Sequence, residues 1–573
     1  MTSPIDRIRP AVSAHRTVGD AAVRFGLAVR AGARDADDAA AVEIWSVASD
    51  DRAVADGDLF VALPGARAHG AGFAAAAVER GARAVLTDEQ GALLLADAVT
   101  GVPVLVADDP RSMLGPLAAW VYGNPADGLT TFGVTGTNGK TTTTYLLDHA
   151  LRALGWKGGL IGTVEMRSGD RVLPSRLTTP EAADLQALLA AMREDEVSTL
   201  AMEVSSHALA LHRVDGLVFD VVGFTNLSQD HLDFHGDLQE YFEAKSLLFT
   251  PDHARRGVVV VDDAWGERMV DAARVPVATL RVAGGGPDAS PADWTVSDVE
   301  AVAAGGTSFT LRHRDGRAVR TSTGLPGGFN VANAALALAM VLEAGSDARD
   351  VEEALAAAGG LAPAVPGRME LVSTVPHEPR VIVDFAHNPD ALTLALDALR
   401  PTTPGRLVVV FGATGDRDRG KRPTMGTVAV DGADVVVVTD DDPHGEDPAA
   451  IRAEVLPGAL AARDALRAAP VPRDVVVREV APRARAIREA VAAAGPQDTV
   501  LVAGRGHEVW QEIAGVDHPL DDRVEARAAL AARTGAPPDP SRTTLPGASA
   551  GTPSAPTATE PLATTHDPKE HHA

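Results

Sequence analysis

A glycine-rich stretch of the chain reads Gly133-Val134-Thr135-Gly136-Thr137-Asn138-Gly139-Lys140-Thr141-Thr142. An apolar, β-prone run at 129–134 precedes it, and a run with helical periodicity at 143–154 follows it. A strand, a glycine loop and a helix form the context of a phosphate-binding loop. The glycines let backbone N–H groups approach phosphate oxygens, and the helix N-terminus adds positive potential. In this interpretation Lys140 supplies a point charge and Thr141 a hydroxyl for Mg²⁺.

The match to the phosphate-loop pattern G-x-x-x-x-G-K-[ST] is incomplete, because Val134 occupies the place of the first glycine. The shorter form G-T-N-G-K-T remains. A strand-to-helix turn without a ligand is the alternative. We favour a nucleotide phosphate because Gly-Lys-Thr directly after a strand combines residue type with position.

Length and composition limit the classes of function. The 573 residues predict three or four domains. A formal charge of −26 argues against a nucleic-acid partner, which requires a basic face. The chain has no cysteine, which excludes disulfides, thiolate chemistry and Cys-ligated metals. It shows no secretory signal and no run of about 18 apolar residues, so we expect a cytoplasmic protein without a membrane span.

Lysine is rare, whereas arginine is abundant. The lysines are Lys140, Lys157, Lys245, Lys421 and Lys569. Lysine is a compact charge that can lose its proton, and arginine is neither, so a retained lysine is a candidate for a role that arginine cannot fill.

Alternating strand-like and helix-like runs predict an α/β protein of three domains and a tail. We place a small N-terminal α/β domain at 1–127, a central phosphate-loop domain at 128–322 and a doubly wound parallel domain at 323–534. Residues 535–573 are rich in Pro, Thr, Ser and Ala without periodicity, which predicts a disordered tail.

Polar clusters follow several predicted strands, where open α/β sheets bind ligands. In the central domain they are Glu203 to His207 and 225–236, which includes His231. In the third domain they are 384–390, 412–421 and 439–447. A carboxylate such as Glu203 can hold Mg²⁺. A structural salt bridge for Glu203, and ordinary loop histidines, are the alternatives.

The order of motifs resembles that of the Mur ligase family, the ATP-dependent amino-acid ligases of bacterial cell-wall synthesis. The motifs are G-T-N-G-K-T at 136–141, T-T-P at 178–180, E-V-S-S-H at 203–207, T-N-L-S-x-D-H-L-D-F-H-G at 225–236, E-A-K at 243–245, G-x-F-N at 327–330, G-R-M-E at 367–370, D-F-A-H-N-P-D at 384–390, G-D-R-D-R-G-K-R-P at 415–423 and G-R-G-H-E at 504–508.

The resemblance, closest to the family members that add the third residue, implies three domains, for UDP, ATP and an amino acid. It implies that the D-Glu side chain of UDP-N-acetylmuramoyl-L-alanyl-D-glutamate takes the γ-phosphate of ATP and that a free diamino acid attacks the resulting acyl phosphate. Positioning and charge neutralisation would supply most of the catalysis. ATP and Mg²⁺ are the implied cofactors, and we expect a monomer.

The resemblance also implies a role for each matching residue. ATP would be bound by Gly136, Thr137, Asn138, Gly139, Lys140, Thr141 and Thr142, and from the third domain by Asn330, Arg368, Asp384 and His387. Metal would be held by Thr141, Glu203, His231 and Lys245, the last as an N6-carboxylysine; Lys140, Glu203, His231 and Lys245 would be catalytic. Substrates would contact Thr178, Thr179, Ser206, Arg213, Arg417, Asp441, Asp442, His444, Gly504 and Glu508. In the first domain the family's D-S-R is Asp50-Asp51-Arg52, so Asp51 would stand at the UDP site in place of a serine.

The motif after the strand at 435–438 bears on the incoming amino acid. Family members that use meso-diaminopimelate resemble one another at D-N-P-R, whose Arg grips the second carboxylate. Here the motif is Asp441-Asp442-Pro443-His444, followed by Glu446 and Asp447. Loss of a positive charge and gain of a negative one favour L-lysine or L-ornithine.

Other functions remain open. The alternative amino acid is meso-diaminopimelate, bound through a protonated His444. A folate polyglutamate ligase would share the phosphate loop but not G-D-R-D-R-G-K-R-P and G-R-G-H-E. The alternative from another class is a phosphate-loop switch or nucleotide-dependent binding protein, which would not depend on a muramoyl-peptide.

Overall fold

The computed structural model describes residues 9–11, 14–30, 35–65, 68–95, 101–173, 177–283, 291–302, 306–373, 375 and 377–534. The predicted disordered tail, 535–573, lies outside the described residues. The α/β fold class predicted from the sequence is confirmed: three parallel or mixed sheets follow one another along the chain.

The first part of the chain forms a five-stranded sheet of order β2-β7-β6-β5-β4, parallel except at β2. Its fully buried strands, such as β5, place Leu59 and Val61 in the core. Its elements are β1 (Arg16–Thr17), α1 (Val18–Phe25), β2 (Ala28–Arg30), α2 (Ala36–Ala40), β3 (Glu43–Ile44), β4 (Ser46–Ala48), β5 (Asp58–Val61), α3 (Ala74–Glu79), β6 (Ala84–Thr87), α4 (Glu89–Leu95), β7 (Val104–Val106) and α5 (Pro110–Val121).

The central part forms an eleven-stranded sheet of order β11-β10-β9-β12-β8-β13-β14-β15-β16-β17-β18. Its elements are β8 (Thr130–Thr135), α6 (Lys140–Ala153), β9 (Gly158–Ile161), β10 (Met166–Ser168), β11 (Arg171–Leu173), α7 (Ala182–Glu194), β12 (Thr199–Glu203), α8 (Ser206–Ala210), β13 (Val221–Phe224), α9 (Leu232–His235), α10 (Leu238–Ser246), β14 (Gly257–Val260), α11 (Ala264–Ala272), β15 (Val277–Arg281), β16 (Trp294–Ala301), β17 (Thr307–His313) and β18 (Ala318–Thr323).

Strand β8, which leads into the glycine loop, lies between β12 and β13, and all three are parallel. Their carboxyl ends therefore meet at one edge of the sheet, where the polar clusters at 203–207 and 225–236 begin. Antiparallel strands extend the sheet on both sides, and β16 to β18 form its far end.

The last part forms a six-stranded sheet of order β19-β20-β24-β21-β22-β23, parallel except at β19. Its elements, with the two helices before it, are α12 (Gly328–Glu343), α13 (Ala348–Ala358), β19 (Glu370–Leu371), β20 (Arg380–Asp384), α14 (Pro389–Leu399), β21 (Leu407–Phe411), α15 (Lys421–Gly432), β22 (Val435–Val438), α16 (Pro448–Ala468), β23 (Val476–Glu479), α17 (Arg483–Ala493), β24 (Thr499–Ala503), β25 (Trp510–Ile513), β26 (Val516–Pro519) and α18 (Asp522–Thr534).

Helix α12 is buried along nearly its whole length, and its residues 334–342 share a hydrophobic core with Phe132 of β8 and Leu146 of α6. This helix follows the predicted boundary at 322/323 yet packs on the central sheet. The domain boundaries drawn from the sequence stay predictions. Within the described part of the chain, no helix is both long and apolar enough to cross a membrane.

Candidate active site

A cavity of about 430 Å³ lies between the central sheet and the last sheet. It brings together most of the residues singled out in the sequence. From the central part it is lined by Thr137, Asn138, Gly139, Lys140, Thr141, Thr142, Thr163, Thr178, Glu203, Ser205, Asp230 and His231. From the later part it is lined by Asn330, Asn333, Arg368, Asp384, His387, Arg417, Asp418, Lys421, Asp441, Asp442, His444, Gly504 and Glu508, among others.

The glycine loop has the local geometry of a phosphate cradle. Helix α6 begins at Lys140, directly after Gly139, whose φ of +92° favours glycine. Gly136 has a φ of +145°, and a Cβ there would lie 1.9 Å from Thr225 Oγ1, so the loop can pass this closely only with glycine. The backbone N–H groups at the start of α6 face the cavity without a side-chain cap, as anion binding requires.

Two lysines meet at one carbonyl oxygen of this loop. Lys140 Nζ donates to Gly136 O at 2.9 Å and to Thr137 O at 2.9 Å, and Lys245 Nζ donates to Gly136 O at 2.9 Å. Burial lowers the pKa of Lys140, although Glu203 and Asp230 oppose this shift. Burial and the nearby Lys140 place the pKa of Lys245 well below its usual range. Lys245 is thus favoured as a neutral amine.

Glu203 ends β12 and points into the loop. Its carboxylate accepts from Thr141 Oγ1 at 3.0 Å, from Thr163 N at 2.8 Å and from Thr163 Oγ1 at 3.1 Å. A Cβ on Gly162 would lie 2.3 Å from Glu203 Oε1, so glycine at 162 leaves room for this side chain. The salt bridge considered as an alternative for Glu203 does not occur among the described residues.

The donor set at this end of the cavity fits Mg²⁺. The ion prefers hard oxygen ligands and commonly uses one or two carboxylates together with substrate phosphates. Thr141 and Glu203 provide a hydroxyl and a carboxylate next to the glycine loop. His231 lies on the same wall with a φ of +54°. Burial and the nearby cations lower the pKa of His231 to about 4, so its ring is neutral at pH 7.

Contacts across the cavity join the two sheets. Arg368 Nη2 donates to Thr141 Oγ1 at 3.3 Å, and its guanidinium lies 4.3 Å from the centre of the Phe385 ring. Asp384 accepts from the backbone N–H groups of Met369 and Ala386 at 2.6 and 3.0 Å. These contacts bring the later residues predicted for ATP close to the glycine loop.

His387 and Asp230 form a second link between the sheets, with His387 Nε2 3.7 Å from Asp230 Oδ2. Burial opposes ionisation of Asp230, but the neighbouring His387 holds the pKa of this carboxyl far below its usual range. Asp230 is therefore a charged residue of the site that the motif analysis did not single out, although it lies inside the motif at 225–236.

The residues predicted for the muramoyl-peptide lie on the central side, mostly behind the cavity wall. Thr178 lines the cavity and lies 3.0 Å from Thr163 Oγ1. Thr179 Oγ1 donates to Glu203 O at 2.9 Å, and Ser206 Oγ is 2.9 Å from His235 Nε2. Arg213 Nε lies 2.9 Å from Glu181 Oε1. Thr179, Ser206 and Arg213 are not in contact with the cavity, and their roles stay predictions.

Asp51 lies apart from this site, in a short 3₁₀ turn after β4, where its Oδ2 is 2.8 Å from Arg80 Nη1. Its side chain is engaged with an arginine, and it does not line the cavity. Its predicted contact with UDP stays a prediction.

The far end of the cavity is acidic. Arg505 Nη1 binds Asp442 Oδ1 at 2.5 Å, whereas Asp441 Oδ2 is buried without a hydrogen-bond partner among the described residues. Burial and the neighbouring aspartates raise the pKa of Glu508 to about 8, against the effect of Arg505. Arg417 and His444 complete this end.

The two acidic residues that follow the motif at 441–444 lie outside the cavity. Glu446 binds the buried Arg422 at 2.6 Å and accepts from Asp416 N at 2.7 Å. Asp447 accepts from Ala449 N at 3.0 Å and caps helix α16. Neither lines the cavity, because both side chains are used to fix loops.

Motif analysis missed further residues of the site. Thr163 follows β9 and Asn333 lies one turn after Asn330 in α12. The position of Thr163 just past a strand was the available signal. Glu512, whose Oε2 lies 2.9 Å from His444 Nδ1, belongs to β25 and carried no signal in the sequence.

Comparison with known proteins agrees with this geometry. Three family models match successive parts of the chain: the Mur ligase family catalytic domain at 43–122, the Mur ligase middle domain at 134–341 and the Mur ligase glutamate ligase domain at 367–506. The chain belongs to the Mur ligase family. It is an ATP-dependent ligase that forms amide bonds, as the members of this family are.

Relatives cover most of the chain. A UDP-N-acetylmuramyl-tripeptide synthetase of Leifsonia xyli subsp. xyli is 48% identical over 92% of this chain and 99% of its own. A UDP-N-acetylmuramoyl-L-alanyl-D-glutamate–2,6-diaminopimelate ligase of Streptomyces avermitilis is 49% identical over 85% of this chain and 92% of its own. A solved structure of a ligase with that second name has a TM-score of 0.58 and 31% identity, covering 86% of this chain and 96% of the other.

Proposed function

We propose that this chain adds the third residue, a diamino acid, to UDP-N-acetylmuramoyl-L-alanyl-D-glutamate, with ATP and Mg²⁺, in peptidoglycan precursor synthesis. One observation carries the proposal: a single cavity runs from the glycine loop at Lys140 to the acidic end at Asp441 and Glu508. The names of relatives that cover most of the chain support the same reaction.

The reaction balances as two transfers. The D-Glu side-chain carboxylate attacks the γ-phosphorus of ATP, and ADP leaves. The amine of the diamino acid then attacks the acyl-phosphate carbon, phosphate leaves and an amide forms, with release of the amine proton. A carboxylate is a poor electrophile, so this phosphorylation supplies the leaving group. Most of the rate enhancement then comes from positioning and charge neutralisation.

The residues of the glycine loop bind and orient the nucleotide. Lys140 places its charge beside the β- and γ-phosphates, and the N–H groups at the start of α6 hold phosphate oxygens. Thr141, Glu203, His231 and a carbamylated Lys245 would hold Mg²⁺, which neutralises phosphate charge when bound. From the other side of the cavity Arg368 and His387 face the same space, so closure of the two sheets excludes water.

The incoming substrate is a diamino acid with a side-chain ammonium, of the L-lysine or L-ornithine type. Arg417 binds its α-carboxylate, and Asp441, Asp442 and Glu508 surround the cationic parts. Asp441 Oδ2, buried and without a hydrogen-bond partner in the described structure, offers an acceptor to an ammonium. His444 stands where a distal carboxylate would need a fixed cation.

The second candidate is the same reaction with meso-2,6-diaminopimelate, which several relatives at 46–49% identity carry in their names. In that case a protonated His444 would bind the distal carboxylate. We place the enzyme in the cytoplasm, where ATP is available, and as a monomer, because the cavity is formed within one chain.

The test is ADP release by purified protein with Mg²⁺ and ATP. UDP-N-acetylmuramoyl-dipeptide is present or absent, and L-lysine, L-ornithine and meso-diaminopimelate are compared side by side. Dependence on both the muramoyl-dipeptide and a diamino acid supports the proposed ligase. ADP release that ignores both would support a nucleotide-dependent switch, and a clear preference for meso-diaminopimelate would select the second candidate.

A further inference from the structure

The hairpin of β25 and β26 follows the G-R-G-H-E motif and forms part of the amino-acid end of the cavity. Strand β25 pairs antiparallel with β26 and also meets the loop that carries His444. His444 N donates to Glu512 O at 3.1 Å, and Ala514 N donates to His444 O at 2.7 Å. Two main-chain bonds therefore fix His444 to the hairpin.

These bonds hold His444 in an unusual backbone conformation. Its φ is +48°, in the left-handed region that residues with a Cβ seldom adopt. Such a conformation persists when its surroundings determine it, and it is common where a side chain must be aimed. Here it directs the imidazole to the cavity, which His444 lines.

The side chain of Glu512 completes the arrangement. Its Oε2 lies 2.9 Å from His444 Nδ1, and its backbone N donates to Asp442 Oδ1 at 3.0 Å. His444 lines the cavity and Glu512 does not, so the carboxylate stands behind the ring. A carboxylate accepts only, so Nδ1 must carry the hydrogen.

We propose that Glu512 is a positioning residue that sets the amino-acid specificity of this ligase, by making His444 an acceptor for the side-chain ammonium of a short diamino acid. When Nδ1–H is donated to Glu512, the neutral tautomer of the imidazole leaves Nε2 unprotonated on the side of the cavity. The inference rests on the proposed function and adds to it a residue outside the known motifs.

The charges around the ring agree with this role. Asp442, another carboxylate at this end of the cavity, is bound by Arg505, whereas the pair of His444 and Glu512 has a net negative charge when the ring is neutral. The side-chain ammonium of L-lysine or L-ornithine would find a hydrogen-bond acceptor in His444 Nε2 and an opposite charge in Glu512. The second carboxylate of meso-diaminopimelate would find no hydrogen-bond donor there and would be repelled by the charge of Glu512.

The experiment compares Glu512→Ala and Glu512→Gln with Asp517→Asn. Asp517 is the cross-strand partner of Glu512 on the same hairpin and is exposed, so its variant removes a nearby charge without touching His444. Steady-state kinetics are measured for L-ornithine, L-lysine and meso-diaminopimelate at saturating ATP and UDP-N-acetylmuramoyl-dipeptide. His444→Arg, which replaces the acceptor by a fixed donor, is measured alongside.

For Glu512→Ala we expect the KM of the preferred ammonium substrate to rise roughly 10- to 100-fold, the range for a hydrogen bond to a charged group. We expect kcat to change little and Glu512→Gln to lie between wild type and Glu512→Ala. His444→Arg should shift selectivity towards meso-diaminopimelate, and Asp517→Asn should behave as wild type.

Three results would overturn the inference. The first is a Glu512→Ala enzyme whose KM values match those of Asp517→Asn. The second is a KM that rises equally for all three amino acids, which a merely structural role would produce. The third is a wild-type preference for meso-diaminopimelate that Glu512→Ala abolishes, which would make His444 a donor. Failure of the proposed function is distinct, because ADP release by the wild-type protein would then not increase with any of the three amino acids.

Discussion

Several residues at this site have pKa values shifted by their surroundings, and the shifted values suit the proposed reaction. Lys245 shows this most directly. It is buried, its Nζ shares the Gly136 carbonyl with Lys140, and the same Nζ lies 4.2 Å from the centre of the Tyr241 ring. Burial lowers the pKa of Lys245 and so favours its neutral amine, the form that can take up carbon dioxide to give an anion that can bind Mg²⁺.

We predict that Lys245→Ala loses most of its activity, roughly 100-fold, the upper range for losing a group that supports a metal site. Short-chain carboxylic acids should restore part of the rate, because they place a carboxylate where the carbamate would be. The measurement is ADP release with and without added carboxylate. Full activity in Lys245→Ala would contradict carbamylation, and Lys157→Ala is the control lysine.

Glu508 gives a prediction for pH dependence. With a pKa of about 8, its carboxyl is mostly neutral at pH 7 and mostly charged at pH 9. The charged form attracts an ammonium, so the KM for the diamino acid should fall as pH rises from 7 to 9. Glu508→Gln should flatten this dependence, which steady-state kinetics across that range would show. An equal pH dependence in both proteins would assign the titration to another group.

The same shift affects folding stability. The folded protein keeps the Glu508 proton to a higher pH than the unfolded chain, whose glutamates titrate near 4.3. Stability therefore falls as pH rises between that value and about 8. Glu508→Gln should lack this part of the pH dependence.

At the scale of elements, the loops after β21 and β22 form the amino-acid end together. Arg422, fully buried in α15, joins them: its Nη2 binds Glu446 Oε1 at 2.6 Å and its Nη1 binds Glu454 Oε2 at 2.8 Å. The same guanidinium donates to Thr414 O at 3.2 Å. One side chain thus fixes the loop that carries Arg417 to the loop that carries His444.

We predict that Arg422→Ala destabilises the protein by about 2 kcal/mol, because it removes the charge-assisted hydrogen bonds that a fully buried guanidinium makes to Glu446, Glu454 and Thr414. It should also raise the KM for the diamino acid more than the KM for ATP. Thermal unfolding and steady-state kinetics measure both effects. The matched control is Arg419→Ala, which removes a more exposed partner of Glu454 and should destabilise the protein clearly less. Equal effects of the two variants would contradict the bridging role.

The sequence predicted those strands and helices whose own residues form an apolar run or a helical pattern. The apolar run at 407–411 is strand β21 in the structure, and the predicted strand at 435–438 is strand β22. A parallel strand that is buried on both faces of the sheet needs apolar residues at successive positions, so such strands can be recognised in the sequence. The helix after the glycine loop begins at Lys140, three residues before the predicted start, because the loop itself supplies its first turn.

Other elements depend on partners distant in sequence. Strands β16 to β18 are partly polar and extend the central sheet only because β15 offers an edge. The contact of Glu512 with His444 depends on the hairpin meeting a loop 68 residues away. The sequence motifs contain most of the residues that line the cavity. Whether a given side chain faces the cavity depends on tertiary contacts, as for Glu446, which binds Arg422 instead.

For the whole molecule, the important feature is that one cavity has walls from two sheets. Gln229 Nε2 donates to Asp418 Oδ2 at 3.1 Å, and Arg368 Nη2 donates to Thr141 Oγ1 at 3.3 Å. Both walls present polar groups to the space that the nucleotide would fill, so bound nucleotide would add to the attraction between them. Binding of the nucleotide should therefore raise the free energy of unfolding of the whole protein.

We predict that Mg²⁺ and ATP raise the melting temperature of the wild-type protein and that Arg368→Met loses most of this rise. At 100 times the Kd, ligand binding adds about 2.7 kcal/mol to the stability. Without nucleotide, Arg368→Met should be about as stable as wild type. Burial lowers the pKa of the Arg368 guanidinium, which means that keeping this charge buried destabilises the protein without nucleotide. The Met variant removes this unfavourable effect, and it also removes the 3.3 Å hydrogen bonds of Arg368 to His507 and Thr141, so the two changes oppose each other.

Differential scanning calorimetry with and without Mg²⁺ and ATP makes the measurement, with the exposed Arg485→Met as the control. If Arg368 acts across the cavity, the nucleotide-dependent rise shrinks only in Arg368→Met, whereas the unliganded melting temperatures stay close together. A variant that melts early without nucleotide and keeps the full rise would instead make Arg368 a structural residue of the last sheet. The two outcomes separate binding from folding because the ligand enters the measurement only through its affinity for the folded state.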